Sequence, residues 1–411
     1  MYEFLTRSSD RDRSGTFDSD AVKSVDVSRG RLFGTLCSLV LLVNLARVVF
    51  APLLKELISV FSMGEATAGL IATLVWVGSA ALRVPTGWLL TRVARHKVVL
   101  ATGGVLTVAA AFTAGANSVP MLAVGALLMG LASGAYFVAA NPLVSELYPE
   151  RVGRALGIHG TASQVAAVVA APFVTLALLY DWRLAFVAIG VAAAVVTVAL
   201  AVTARRTDLP EAGSDDRDLV GAARRQWRII LLGVVILGFT GFVWQGLFNF
   251  YELYMLQKNL GPGAAKNLLT VVFAAGVPAF VLSGRLADRL PHVPYLIGIV
   301  GAFVACLFAL TRVEGLLPIV AVTAVTGYVI HSLFPALDTY LLDTLPDENR
   351  ASAYAVYSGG MMVLQATGSV AVGTLAEAGV TYDSIFVGFA AGLGVLVVVL
   401  VGLQQTGRLP G

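Results

Sequence analysis

Two arginines stand inside apolar stretches of the sequence, where a charged side chain is costly. Arg47 lies in NLARVVFAPLL and Arg83 in SAALRVPTGWLL, and neither stretch contains an acidic residue. A guanidinium is always charged and donates hydrogen bonds in a planar fork that fits carboxylates and phosphates. Each arginine is therefore interpreted either as a contact to an anionic solute or as part of an internal pair with a neighbouring helix. We favour the contact to a solute.

A second set of residues could carry protons. His331 and Asp338, in GYVIHSLFPALDTYLLD, are seven residues apart, so a helix would place them on one face. Histidines and carboxylates within a membrane can form proton relays, and Glu252 is a third candidate. The alternative is that Asp338 pairs with a neighbouring helix while His331 only forms a hydrogen bond. The segment around Glu252 also holds three candidate solute contacts: Trp244, Gln245 and Asn249.

The elements that must position these residues are membrane spans. Of the 411 residues 57% are hydrophobic and 13% charged, and the mean hydropathy is +0.83, whereas about a quarter of the residues in a soluble domain are charged. Apolar runs long enough to cross a bilayer recur along the chain. We predict an all-α polytopic membrane protein with twelve transmembrane helices, at 33–58, 66–90, 98–116, 119–146, 154–180, 183–204, 228–256, 264–288, 294–312, 315–343, 350–377 and 383–404.

The positions of Lys and Arg predict how the chain crosses the membrane. With the N-terminus inside the cell, the inner segments hold 21 of these residues and the outer segments hold 5. Because positive residues collect in cytoplasmic loops, we expect both termini inside and a multi-pass protein of the plasma membrane. The predicted organisation is a cytoplasmic tail (1–32), a six-helix half (33–204), a cytoplasmic linker (205–227), a second six-helix half (228–404) and a short cytoplasmic tail (405–411).

Several function classes are disfavoured. The net charge of +3 is accounted for by the cytoplasmic loops, so no nucleic-acid partner is predicted. Cys37 and Cys306 lie inside apolar runs and suggest no disulfide or metal framework. The sequence contains no phosphate-binding Gly-x-x-x-x-Gly-Lys-Ser/Thr loop and no evident nucleophile–base pair. We therefore predict no cofactor, no metal, no catalytic residue and no enzymatic activity.

The sequence contains an internal repeat, in which several motifs of the first half recur in the second half. GWLLTR at 87–92 recurs as GRLADR at 284–289, which is 197 residues later, and Pro149 recurs as Pro346 at the same spacing. YDWRLAF and TYDSIF end at Phe186 and Phe386, which are 200 residues apart. Parallel repeated halves are a recurring transporter design in which the site lies between the halves near the membrane midplane.

These repeated motifs resemble those of a known family. GWLLTRVARHK resembles the loop 2–3 motif of the major facilitator superfamily, Gly-x-x-x-Asp-Arg-x-Gly-Arg-Arg/Lys, and GRLADRLPH resembles its copy in loop 8–9. GLASGAYFVAANPLVSELYPERVGRALG is similar to the passage from span 4 to span 5 in that superfamily. The resemblance implies a monomeric secondary transporter in the lipid bilayer. It would carry a small molecule or ion by alternating access, with ion or exchange coupling.

The resemblance also implies a cytoplasmic latch made from the charges of the motif. Glu146 and Asp343, at the inner ends of spans 4 and 10, are the expected partners of Arg92 and Arg289. Because Thr91 replaces the family's aspartate, we expect Asp288 in the second copy to carry more of the latch. The alternative is that these charges only anchor the loops at the membrane surface. The latch residues so predicted are Gly87, Thr91, Arg92, Glu146, Gly284, Asp288, Arg289 and Asp343.

The sequence constrains the class of substrate less than it constrains the fold. ALRVPTG resembles span 2 of the nitrate/nitrite porters, whose arginine binds the anion, but Phe280 stands where those porters have a second arginine. A site for another anion with a single arginine is the broader alternative. A proton-coupled multidrug or small-molecule efflux antiporter is a further alternative, although Ala126 occupies the place of its span 4 arginine. A non-transporting membrane sensor on the same fold is the alternative from another class.

Overall fold

The computed structural model describes residues 19–207, 209, 219–346 and 350–409. Within them the chain forms α-helices and one 3₁₀ turn at Pro149–Arg151. The helices are α1 (Ser19–Val48), α2 (Phe50–Phe61), α3 (Glu65–Ala81), α4 (Arg83–Leu89), α5 (Arg95–Ala114), α6 (Val119–Leu147), α7 (Val152–Ala177), α8 (Arg183–Ala204), α9 (Leu219–Arg225), α10 (Trp227–Gln257), α11 (Pro262–Ala287), α12 (His292–Arg312), α13 (Leu316–Thr344), α14 (Arg350–Glu377) and α15 (Tyr382–Gln405).

Twelve helical stretches of the described chain are long and apolar enough to cross a membrane, which confirms the predicted all-α, twelve-span architecture. Span 1 is the part of α1 from Ser28, span 2 is α3 with α4, and spans 3 to 6 are α5 to α8. Spans 7 to 10 are α10 to α13, span 11 is α14 from Ser352, and span 12 is α15. Because successive spans alternate in direction, the beginning of α1, the linker helix α9 and the end of α15 lie at one end of the bundle, here called the linker end. The other end is called the far end.

The segments predicted to lie outside the spans contain more helix than expected. α1 begins at Ser19, so residues 19–32 of the predicted tail continue the helix of span 1. The short helix α9 lies within the predicted linker. Residues 1–18, 208, 210–218 and 347–349 lie outside the described residues, as does the end of the C-terminal tail at 410–411.

Helix boundaries repeat at the spacing found in the sequence. α13 begins and ends 197 residues after α6, and α12 begins 197 residues after α5. α11 begins 197 residues after α3. Because the same pattern of apolar runs and turns is present in both halves, each half folds into the same series of spans.

Proline breaks divide the helices of spans 1 and 2. Pro52 has no N–H to bond the carbonyl of Val48, and α1 ends at that residue before α2 begins. Pro85 stands in the same relation to Ala81, where α3 gives way to α4. Each break lies beside one of the two arginines in the apolar runs, so the breaks set where those side chains leave their helices.

The apolar core is continuous at the far end and divided at the linker end. One cluster of buried residues includes the N-terminal half together with the far-end parts of spans 7 to 12. A separate cluster, built around Ile236, Leu337 and Tyr357, fills the linker-end part of the C-terminal half alone. The two halves are therefore packed together at the far end and separated at the linker end.

Candidate functional site

Arg47 is held between two aromatic rings in the N-terminal half. Its Cζ lies 4.4 Å from the ring centroid of Trp76 and 5.2 Å from that of Phe137. Its Nη2 donates to Asn44 Oδ1 at 2.7 Å, and the Asn44 amide donates to the Ser163 carbonyl at 2.7 Å. Nε is buried without a hydrogen-bond partner. No carboxylate of the described chain forms an ion pair with this guanidinium.

Arg83 reaches across to span 11 in the other half. Its Nη1 donates to Ser358 Oγ at 2.5 Å, while its Nε is buried without a partner. Tyr354 donates its hydroxyl to Asp338 Oδ1 at 2.9 Å, and both residues contribute to the electrostatic environment of Arg83. The Tyr357 hydroxyl is buried nearby and also lacks a partner. Asp338, whose charge acts on Arg83, is thus bound by a tyrosine and makes no direct ion pair with the guanidinium.

A cavity of about 460 Å³ lies between the two halves, beside Arg83. It is bounded by spans 2 and 4 on one side and by span 11 on the other, and it reaches the linker helix α9 at Leu219. The residues of its wall that could interact with a polar or aromatic solute are Arg83, Gly87, Trp88, Thr91, Phe137, Asn141, Tyr354 and Ser358. The cavity therefore extends from Arg83, in the linker-end half of span 2, towards the linker end.

The far end of the bundle is closed by contacts between the halves. The Ala66 N–H donates to Glu377 Oε2 at 2.8 Å, and the Tyr382 hydroxyl donates to Glu65 Oε2 at 3.0 Å. One turn deeper, a Cβ placed on Gly69 would collide with a backbone carbonyl of span 11. Spans 2 and 11 consequently approach backbone to backbone at this end, and a solute in the cavity has access only to the linker end.

The three predicted solute contacts of span 7 lie away from this cavity. The Asn249 side chain donates to Ser369 Oγ at 2.9 Å and to the Gln245 carbonyl at 3.0 Å, which ties span 7 to span 11. Trp244 packs its ring edge-on against His331, with centroids 5.6 Å apart. None of the three is part of the cavity wall, and in this conformation they pack the C-terminal half internally.

The three predicted proton carriers lie in three separate environments. His331 Nδ1–H donates to the Gly327 carbonyl at 2.7 Å, and the ring is surrounded by aromatic side chains. Asp338 lies next to the cavity through its hydrogen bond from the tyrosine of span 11. Glu252 lies towards the far end, where its Oε1 is 3.9 Å from Lys266 Nζ and its Oε2 is buried without a partner. Of the three predicted proton carriers, only Asp338 interacts electrostatically with Arg83.

The first motif pairs differently from the prediction. Glu146 Oε1 lies 2.6 Å from Arg95 Nη1, whereas the predicted partner was Arg92. Spans 3 and 4 pack as antiparallel neighbours, so the first turn of span 3 meets the last turn of span 4. Arg92 belongs to the preceding turn, and its Cζ lies 4.2 Å from the ring centroid of Trp88, four residues earlier. Thr91 Oγ1 donates to the carbonyl of Trp88 at 2.8 Å.

The second motif repeats this arrangement. Asp343 Oδ2 lies 3.3 Å from His292 Nε2, whereas the predicted partner was Arg289. This pair stands 197 residues after the glutamate–arginine pair of the first half. Asp288 and Arg289 are exposed, and neither makes an ion pair in the described part of the chain. Gly284 has open space beside it. The charges of the two motifs do not join the halves in this conformation.

The sequence reasoning missed the residues of span 11 that face Arg83. The predicted site residues do not include Tyr354, Tyr357 and Ser358. The low apolarity of span 11 could have indicated them, since its mean hydropathy is 1.2, against 2.7 for spans 6 and 12. The aromatic partners of Arg47 are Trp76 and Phe137. Nothing in the sequence singles them out, because aromatic residues are common in any span. Among the described residues no group of three His, Cys, Asp or Glu side chains could hold a metal ion.

Comparisons with known proteins identify the family of this chain, and they also find a relative and solved structures that resemble it. Residues 36–317 and 259–408 match the sequence model of the Major Facilitator Superfamily. A protein of Mannheimia succiniciproducens named "Probable sugar efflux transporter" is 25% identical over 321 residues, which are 77% of this chain and 79% of that protein. The crystal structure of a bacterial homolog of the human lysosomal transporter Spinster, inward-facing and unoccupied, superposes with a TM-score of 0.73 at 15% identity, covering 91% of this chain and 97% of that one. The nucleoside transporter NupG gives a TM-score of 0.76 at 12% identity, covering 90% and 99%.

Proposed function

Because the chain belongs to the major facilitator superfamily, we propose that this secondary transporter moves a small anionic solute by alternating access between its two six-helix halves. The family and the twelve spans make the protein a multi-pass membrane protein of transmembrane transport. The charge of the solute, the coupling and the direction are proposals that rest on the site.

The observation that carries the proposal is a pair of half-buried arginines within spans, neither of which forms an ion pair with a carboxylate of the described chain. An arginine at the centre of a span costs about 2.5–3.5 kcal/mol on the insertion scale. Aromatic faces offset part of this cost for Arg47. The Nε of Arg83, a residue of the cavity wall, is a buried donor without an acceptor. A carboxylate, a phosphate or an inorganic oxyanion in the cavity would supply acceptors and compensate the charge.

The packing of the halves supports alternating access. The far end is closed by the contacts of spans 2 and 11, and the cavity reaches the linker end. Rocking of the halves would separate spans 2 and 11 at the far end and close the cavity behind the solute. The excess of Lys and Arg at the linker end supports placing that end in the cytoplasm. Cysteines introduced into the 205–226 linker should then react only with reagents added from the cytoplasmic side, and labelling from outside would contradict this orientation.

Asp338 is the residue best placed to couple a proton to the solute. Its carboxylate partly compensates Arg83 from the far side of Tyr354. Protonation would remove that negative charge, so Arg83 would bind an anion more strongly. Proton and anion would then bind cooperatively, which is the behaviour of a symporter. His331 and Glu252 lack a comparable connection to the cavity.

A neutral sugar is the second candidate solute, because the relative from Mannheimia is named as a sugar efflux transporter. Trp88, Phe137 and Tyr354 give the cavity aromatic surfaces that suit a sugar ring. In this case Arg83 would be compensated within the protein by Ser358 and Asp338, and a proton would exchange for the sugar. The two candidates differ in the charge of the ligand that stabilises the fold.

The test is a thermal-shift screen of the purified protein against nitrate, small organic acids, phosphorylated sugars, neutral sugars and cationic drugs, followed by counterflow in proteoliposomes. A ligand that binds the folded state raises the melting temperature by mass action. We expect an anion to stabilise the protein and to drive counterflow. A neutral sugar that stabilises wild type and Arg83→Gln equally would overturn the anion proposal. Binding of a ligand without counterflow would favour a sensor over a transporter.

A further inference from the structure

A second recess, of about 430 Å³, lies on the outer side of spans 2, 3 and 4. Its wall is almost entirely apolar and includes Leu89 and Val105, which are 38% and 42% exposed although they lie within spans. Exposed aliphatic side chains at this depth face lipid. At the linker end the recess finishes at a single cation, Lys97. We call it the N-terminal groove.

The second half of the molecule contains the same groove without the cation. A recess of about 480 Å³ lies on spans 8, 9 and 10. Apart from Pro291, every residue of its wall stands 197 residues after a residue of the N-terminal groove, so the repeat produces both recesses. The counterparts at the linker end are Leu286 for Leu89, Leu290 for Val93 and Pro294 for Lys97.

Lys97 is not explained by the packing of the protein. Its side chain is exposed and makes no ion pair with any described residue. It lies in the first turn of α5, where the positive end of the helix dipole opposes a cation. The groove thus combines an apolar wall with an uncompensated positive rim.

We propose that the N-terminal groove binds one anionic phospholipid from the membrane leaflet at the linker end. The acyl chain would lie along the apolar wall, and the phosphate would pair with Lys97. From Lys97 to Val105 the groove follows span 3 for eight residues, or about 12 Å at the helical rise. A leaflet contributes roughly 15 Å of hydrocarbon, which is half of the bilayer core, so a single chain reaches the inner end of the groove.

The position of the groove connects the lipid to the transport cavity. Trp88 belongs to the walls of both recesses, and the short helix α4 separates them. α4 is joined to the rest of span 2 through the break at Leu82 and carries Arg83 at its first residue. A lipid in the groove would therefore support α4 from the side opposite to the cavity.

The test is native mass spectrometry of the purified full-length protein with phosphatidylglycerol or phosphatidylcholine of identical acyl chains. One lysine near a membrane surface changes the binding of an anionic lipid about fivefold. Wild type should retain one phosphatidylglycerol about fivefold more strongly than phosphatidylcholine, and Lys97→Gln should abolish this preference. Lys97→Arg should restore it, and Lys55→Gln, the same change at the far end, should leave it intact.

The second half provides a gain-of-function control. Pro294→Lys places the missing cation at the matched rim and should create a second site that prefers phosphatidylglycerol. Equal retention of the two lipids by wild type, or an unchanged preference in Lys97→Gln with an unchanged melting temperature, would overturn the proposal. Because Lys97→Gln alters an exposed side chain, its result decides the proposal even if Pro294→Lys does not fold.

Discussion

The two halves of the molecule share one scaffold but carry opposite chemistry. The N-terminal half holds both membrane-embedded arginines, and the matched positions of the C-terminal half are Trp244 and Phe280. The C-terminal half instead holds Asp338, a carboxylate whose charge acts on Arg83. The repeat therefore fixes helix lengths and packing while leaving individual side chains free to diverge. A site between such halves can join an anion-binding surface to a proton-binding one.

Loss of Arg83 should produce the largest effect. A hydrogen bond to a charged group contributes about 1.5–3 kcal/mol, so Arg83→Gln should weaken binding of the anion about 10- to 100-fold. Arg83→Lys keeps the charge but loses the planar fork, and its affinity should be intermediate. The matched control is Phe280→Leu, which changes the equivalent place in the other half. Titration of the ligand identified in the thermal-shift screen measures all three, and equal losses for Arg83→Gln and Phe280→Leu would contradict the division between the halves.

Removal of the Asp338 carboxylate should separate proton coupling from exchange. Asp338→Asn keeps a partner for Tyr354 but cannot change its charge, so uptake driven by a proton gradient should fall to the level measured without the gradient. Counterflow, which needs no net proton movement, should persist. His331→Gln is the control, since His331 bonds within its own helix. Proteoliposome assays with and without a pH gradient measure both modes. Retained proton-driven uptake in Asp338→Asn would assign coupling elsewhere, with Glu252 as the next candidate.

The two motif copies should differ in their effect on conformation. Asp288 has a carboxylate where the first copy has Thr91, so Asp288→Asn should move the equilibrium towards the state open at the linker end. A shift of about fivefold corresponds to one ion pair of roughly 1 kcal/mol. Thr91→Ala should shift the equilibrium less, because Thr91 bonds only its own turn. Spin-label distances between spans 2 and 11 at the linker end measure the populations. Equal, small shifts would mean that both motifs only anchor their loops.

The smallest expected effect concerns the repeated ion pairs at the linker end. The side chains of Arg95 and Glu146 are 15% and 29% exposed, whereas those of His292 and Asp343 are 29% and 62% exposed. Exposed ion pairs contribute about 0.2–1 kcal/mol, and a histidine contributes only when it is protonated. Glu146→Gln should therefore lower the melting temperature in detergent more than Asp343→Asn does. A larger loss of melting temperature in Asp343→Asn would show that the Arg95–Glu146 pair is not the more stabilising of the two.

The architecture was predictable because its causes are repeated many times along the chain. Twelve apolar runs specify the spans, and motifs 197 residues apart specify the halves. The two intramembrane arginines could also be found, since each is an isolated charge in an apolar run. Their partners could not: Arg83 meets Ser358, which is 275 residues away, and periodicity within one helix does not specify which face of another helix it meets.

Local pairing was predicted least well. The sequence placed Glu146 opposite Arg92, but Arg95 is closer because it lies on the helix that packs beside span 4. The polar residues of span 7 pointed to a solute contact, yet Asn249 and Gln245 form hydrogen bonds with each other and with span 11. A polar side chain in a span satisfies its hydrogen bonds wherever a partner is nearest, and that partner is a property of the folded molecule.

The far-end contact between spans 2 and 11 has a consequence for how such a protein could acquire a new cargo. At Gly69 the seal is formed by main-chain atoms and by the absence of a side chain, and Thr73 donates to the Ala366 carbonyl one turn further on. Main-chain carbonyls are the same whatever solute is carried. Substitutions at Arg83, Asn141 or Tyr354 can therefore retune selectivity without redesign of the seal, whereas almost any mutation at Gly69 would alter closure for every solute alike. Residues of the cavity wall can therefore change as the cargo changes, whereas the residue at Gly69 is constrained by the close approach of the two spans.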